Sequence, residues 1–240
     1  MKPAFPGFPP EAVKFFKDLD KNNTREWFQP RKEHYEQYVK APMEELVAAI
    51  NLGMSKFAPD HVTDPKKAVF RIYRDTRFSS DKTPYKNHIA ASFGRRGMEK
   101  MGAGGFYFSL NHKEIEVAGG VYHPDPAAML TIRNHIAETH ADFRRLLANR
   151  KLRTLMGELQ GSGLSRVAKG FDPAHPAVDL LKKKDWIFFV MLDANLIGTP
   201  NLLPQILSRF EVVAPVIEYL NAPLRSRKTR SMAYQPLDRS

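Results

Sequence analysis

GFYFSLNHKEIEVAGGV, residues 105–121, sets the frame in which the rest of the chain is read. Gly105–Leu110 and Glu114–Val121 are rich in aromatic and β-branched residues, and Asn111-His112-Lys113 supply turn chemistry between them. Together they predict a β-hairpin. Gly119-Gly120 marks a bulge or a close approach of another backbone. Further out, Asp185–Leu192 carries WIFFVML behind an acid, an apolar β run of the kind expected for a central strand. Asn87–Phe93 predicts another strand. Ala68–Thr76 alternates and is rich in β formers, which predicts a fifth.

Helical spacing surrounds these strands. Glu11–Leu19 places Val13, Phe15, Phe16 and Leu19 on one side. Asn23 with Glu26 reads as a capping box ahead of Trp27 and Phe28. Pro30 suits the first position of a longer helix carrying Tyr35, Tyr38, Val39, Leu46, Val47 and Ile50, with Pro42 a kink or boundary within it. Pro124–Leu147, Arg150–Leu159, His175–Lys182 and Pro200–Leu220 predict further helices, the last interrupted at Pro215. Helices at both ends of a strand-rich middle argue α+β, with a mostly antiparallel sheet in one domain over 11–222. Residues 1–10, with four prolines, read as an extended lead-in, and 223–240 as a basic, flexible tail.

The chain has 240 residues, 42% of them hydrophobic, enough to bury a sizeable core. The net charge is +11, which favours anionic partners. Residues 66–100 hold ten Lys/Arg against three acids, and 225–239 hold five against one, so two short segments account for the excess. There is no cysteine, which excludes thiol nucleophiles and thiolate metal sites and fits a reducing compartment. No secretory leader or membrane span is visible, and the expectation is a cytoplasmic protein that does not engage a membrane.

The densest charge lies in Phe70–Lys86, FRIYRDTRFSSDKTPYK. Arg71, Arg74, Arg77, Lys82 and Lys86 stand there with Asp75 and Asp81, among Phe70, Tyr73, Phe78 and Tyr85. Arg forks grip phosphate or carboxylate in a bidentate manner, and Lys adds a point charge. These five cations and Tyr85 are the candidate ligand-binding residues. Asp75 and Asp81 are candidates for orienting the cations or for acid/base work. The plain structural alternative is an ion-pair network that only ties strand to loop. Basic residues interleaved with aromatics also suit a nucleic acid, phosphates on the cations and bases on the rings. On a strand, Arg71, Tyr73, Asp75 and Arg77 share one face, and Arg74 falls on the other with Phe70, Ile72 and Phe78. Arg74 is then the most structural member, and Lys82 and Lys86 the most exposed to a ligand.

Other chemistry finds little footing. The eight histidines make neither HExxH nor an i,i+4 pair, so no metal site is expected. Gly161-Ser162-Gly163 lacks the strand–turn–helix setting of a nucleophile elbow. Gly102-Ala103-Gly104-Gly105 precedes a strand rather than following one, and no phosphate-loop lysine accompanies it. No cofactor is expected.

Asn22-Asn23 with Trp27-Phe28, then Arg71-Ile-Tyr-Arg-Asp75-Thr-Arg77-Phe-Ser79 and Asp81-Lys82-Thr-Pro84-Tyr85-Lys86, resemble a family of conserved hypothetical proteins of bacteria and fungi, a domain of unknown function. Gly119-Gly120, Ile132-Arg133, Lys169-Gly170-Phe171-Asp172 and Leu180-Leu181-Lys182 also look like it. The resemblance runs from about Phe15 to Asn221 and implies one domain. It carries no activity with it. Ala168 stands where that pattern leads one to expect proline, a difference confined to a loop.

Overall fold

Helix α1 (Pro10–Lys21) starts where a proline costs nothing, at a position whose N–H has no partner in any helix. Glu11 near its positive end and Lys21 near its negative end favour the same direction, and Ala12, Phe15, Phe16 and Leu19 form its buried face. Thr24 caps α2 (Arg25–Phe28), its hydroxyl accepting the Trp27 N–H at 3.2 Å. The capping box expected at Asn23 is therefore replaced by a cap one residue later, and the Asn23 side chain serves elsewhere. A 3-10 turn (Gln29–Arg31), α3 (Lys32–Tyr35), a π-helical turn (Glu36–Lys40) and α4 (Ala41–Met54) follow. Pro42 brings no N–H to the carbonyl one turn back, and the widened π turn lies just ahead of that gap.

The computed structural model describes residues 4–98 and 102–233, with side chains up to Arg225. Four strands, β1 (Ile89–Gly94), β2 (Gly105–Leu110), β3 (Glu114–Val121) and β4 (Trp186–Asp193), make one antiparallel sheet in the order β1-β2-β3-β4. The 105–121 hairpin forms with the expected bounds. Helix α5 (Pro65–Ala68) precedes the sheet; α6 (Pro126–Leu147), α7 (Arg150–Met156) and α8 (Val178–Leu181) lie between β3 and β4; α9 (Leu202–Ala233) closes the described chain. The fold is α+β in one domain. Among the described residues no helix is long and apolar enough to cross a membrane.

Contacts cluster into two compact units: residues 1–93, 106–118 and 189–211, and residues 94–105, 119–188 and 212–240. In the first, the Phe15 ring meets those of Phe16, Trp27, Phe28, His34 and Tyr35. Phe93, Phe106 and Phe210 form a second aromatic group there. In the other unit, Ile132, Ile136, Phe143, Leu181, Trp186, Val213, Ile217 and Leu220 are buried. Each fully buried side chain of this size is worth about 1.5–3 kcal/mol relative to exposure. Gly120 takes φ +132°, and a Cβ there would sit 2.1 Å from the Trp186 carbonyl oxygen. The close approach read from Gly119-Gly120 is thus present.

Several expectations are corrected. No strand forms over 68–76. Asp64 caps α5, which takes Ala68, and the rest joins its neighbours only through isolated bridges, Val69↔Ala91 and Tyr73↔Tyr85. The opposing segment contains Pro84, which has no N–H to give a ladder. The apolar run at 186–192 is not central, because β4 is the last strand in the order. Its Trp186 and Phe188 are buried, and its start is bridged by Gln160↔Ile187 and Gly163↔Lys183. Helix α9 runs through Pro215 and Pro223 to Ala233, so the interruption expected at Pro215 is not found. Residues 234–240 of the expected tail lie outside the described residues.

Candidate functional site

The first unit contains a cavity of about 430 Å³ lined by Asp20, Asn23, Arg74, Asp81, Thr83, Tyr85, Lys86, Asn87 and His88. Its frame is the non-ladder pairing of 72–74 with 84–86. Arg74 N–H donates to the Pro84 carbonyl at 2.9 Å, and Lys86 N–H to the Ile72 carbonyl at 2.8 Å. Those bonds leave the N–H and C=O of Tyr85 pointing the other way. Asn23 takes both: its Oδ1 accepts the Tyr85 N–H at 3.1 Å, and its Nδ2 donates to the Tyr85 carbonyl at 2.9 Å. The Tyr85 ring is fixed in turn by Phe28, stacked at 4.1 Å between centroids. The Asn23 backbone position follows from Thr24 opening α2, so the helix start and the cavity wall are set by adjacent residues.

Two carboxylates face the cavity, and both are engaged. Asp81 accepts the Thr83 N–H at 2.9 Å and its hydroxyl at 2.8 Å, and pairs with Arg74 at 2.5 Å. The Thr83 N–H, the Arg74 guanidinium and the Thr83 hydroxyl together hold the Asp81 carboxyl down at about 2. Arg74 also donates to the Thr83 hydroxyl and, at 3.3 Å, to its carbonyl. Asp20 receives Lys113 at 2.6 Å and stands 3.5 Å from His112.

The cations opposite them are less well matched. Lys86 donates to the Arg71 carbonyl at 3.0 Å and lies 5.2 Å from the centre of the Phe70 ring. Burial, and then the charge of Arg71, push its pKa down. Burial, and then Lys86, push down that of His88. Among the described residues neither has a carboxylate partner. A half-buried ammonium without a counter-charge, beside an imidazole kept neutral by burial and by that charge, carries a standing cost that an anion would relieve.

The remaining predicted residues lie outside the cavity. Arg77 grips Asp75 with Nε at 3.0 Å and Nη2 at 2.7 Å, both exposed, and its guanidinium lies 5.7 Å from the centre of the Phe78 ring. That contact, with the Arg77 backbone N–H, lowers the Asp75 pKa. Lys82 donates to the Thr76 carbonyl at 2.9 Å. Arg71 is exposed and makes no side-chain hydrogen bond among the described residues. The structure thus brings Arg74, Asp81, Tyr85 and Lys86 into one cavity lining, and leaves Arg71, Asp75, Arg77 and Lys82 out of that lining, Arg71 bonding Lys86 through its carbonyl. Sequence reasoning missed Asp20, Asn23, Thr83, Asn87 and His88. His88 had a signal, two residues beyond the motif's last lysine; Asn23 had one that was spent on a cap. Among the described residues no group of three or more His, Asp or Glu is placed to hold a metal ion.

Fold and site together define an α+β domain with a polar cavity lined by Arg74, Lys86 and His88 alongside Asp20 and Asp81. A family model described as "Conserved hypothetical protein (DUF2461)" matches residues 11–219, and the chain belongs to that family. No curated protein matches it.

Proposed function

We propose that the cavity binds an anion of the phosphate class, either a phosphorylated small molecule or a nucleic-acid backbone. Lys86 and His88 are its direct contacts, and Arg74 a third cation held in place by Asp81 and Thr83. The observation that carries this reading is the half-buried pair Lys86 and His88, which line one cavity without a carboxylate partner. Asn87 adds a neutral amide to the same lining. The acid/base alternative draws no support from Asp81, which stays ionised far below neutral pH. Asp75–Arg77 and Arg74–Asp81 suit the structural role weighed above.

The test is calorimetric titration with inorganic pyrophosphate. Wild type is expected to bind, and Lys86→Ala to lose roughly 1.5–3 kcal/mol of affinity, the worth of one charge-assisted hydrogen bond. Equal affinity in the two proteins would remove Lys86 from the site.

A further inference from the structure

Three of the four aromatics of the 70–86 stretch are not core; only Tyr85 is buried. Phe78 is 95% exposed, and Phe70 and Tyr73 are each 42% exposed. An ordinary surface leaves such rings singly and scattered, whereas these three occur within nine residues of one another and among cations. Two are coupled to the cavity wall. Phe70 lies under the Lys86 ammonium at 5.2 Å, and Tyr73 packs on Tyr85 at 5.5 Å between centroids. Lys86 and Tyr85 both line the cavity. Phe78 stands beside the Arg77 guanidinium. Half-exposed rings therefore touch two residues of the cavity lining, with a fully exposed ring on the same segment.

We infer that the ligand of this site is an unpaired nucleotide, free or within a single strand, its phosphate at Lys86, Arg74 and His88 and its base stacked on the exposed rings of the 70–78 segment. The inference rests on the anion reading above and adds to it what the phosphate carries. Every base offers a π face, so stacking of this kind tolerates sequence, and a neighbouring guanidinium or ammonium strengthens it. A duplex hides its bases and offers only backbone, so it should bind less well than a single strand of the same length.

The experiment is fluorescence anisotropy with a labelled oligothymidylate, an abasic deoxyribose-phosphate strand of equal length, and the corresponding duplex. Thymidine monophosphate and inorganic phosphate serve as competitors. Phe78→Ala is the first variant, because a ring that exposed contributes little to folding; Tyr73→Ala and Lys86→Ala accompany it. The base-carrying strand is expected to bind more tightly than the abasic one. Phe78→Ala should weaken oligothymidylate roughly five- to hundredfold while leaving the abasic strand unchanged, and Lys86→Ala should weaken both. Competition by thymidine monophosphate at matched nucleotide concentration would identify a free nucleotide, and competition by strands alone a single strand; either supports the inference. If the abasic strand binds as tightly as oligothymidylate, or if both ring variants bind it unchanged, base stacking is overturned while the anion reading stands. If neither strand nor phosphate binds, or Lys86→Ala changes nothing, the anion reading itself has failed.

Discussion

Burial first, and then the ammonium of Lys86 two residues earlier, hold the His88 imidazole below its ordinary pKa of 6.5. The free protein therefore keeps His88 neutral at pH 7. An anion in the cavity favours the imidazolium, so binding takes up a proton. Affinity should rise as pH falls toward the free-state pKa of His88 and level off below it. His88→Gln should flatten that profile, and calorimetry in buffers of differing ionisation heat would count the proton. The same shift bears on folding with a definite sign. The unfolded chain binds the proton more readily, so the contribution of His88 to stability is present above pH 6.5 and is lost as the pH drops below it.

Asp81 behaves oppositely. Its folded pKa of about 2 lies below the ordinary 3.8, so its contribution is present above pH 3.8 and is lost as pH falls toward 2. A carboxyl carbon resonance for Asp81 that titrates near 2 would confirm the anchoring by Thr83 and Arg74. A midpoint near 3.8 would contradict it. Asp81→Asn should leave the helices folded while releasing Arg74, visible as faster amide exchange over 81–83.

Asn23→Ala should destabilise the protein by about 1–3 kcal/mol, because it leaves the Tyr85 N–H and C=O without their partner. Urea unfolding at constant m-value would measure this. Asn23→Asp is the sharper variant, since it keeps the acceptor and removes the donor. It should restore part of the loss, whereas a merely space-filling role would be restored in full.

Gly120→Ala should cost at least about 2 kcal/mol, from a φ of +132° and a Cβ placed 2.1 Å from the Trp186 carbonyl oxygen. Gly97→Ala is its control, with φ +75° but open space around the Cβ, and should cost less. Comparable losses in thermal melts would mean that backbone strain, not the close approach, governs both.

Alternation and turn chemistry made the hairpin legible, because both are local. Gly119-Gly120 was legible for the same reason: only glycine tolerates that approach. The position of β4 in the sheet was not. Trp186 and Phe188 are buried and Phe189 is not, yet all three read alike in one dimension. Ala68–Thr76 was misread because its alternation is genuine, with Ile72 buried between exposed Arg71 and Tyr73, while the ladder is broken by Pro84 on the segment opposite. Of the candidate site, the residues contributed by the motif were legible as a group, and pleat parity set Arg74 apart from Arg71 and Arg77. Asp20 comes from α1 and Asn23 from the turn between α1 and α2, and nothing local relates them to Tyr85, 62 positions beyond Asn23.

The carboxamide of Asn23 occupies the place beside Tyr85 that the backbone of another strand would take. Pairing with 72–74 uses the carbonyl of Pro84 and the N–H of Lys86, so Tyr85 alone presents an outward N–H and C=O there. Such a pair is the template on which a foreign chain docks, edge to edge. A side chain that fills it seals the edge without adding a strand. Asn23 is in this sense a guard against self-association as well as a brace, and its loss should show in light scattering on mild warming before it shows in any ligand titration.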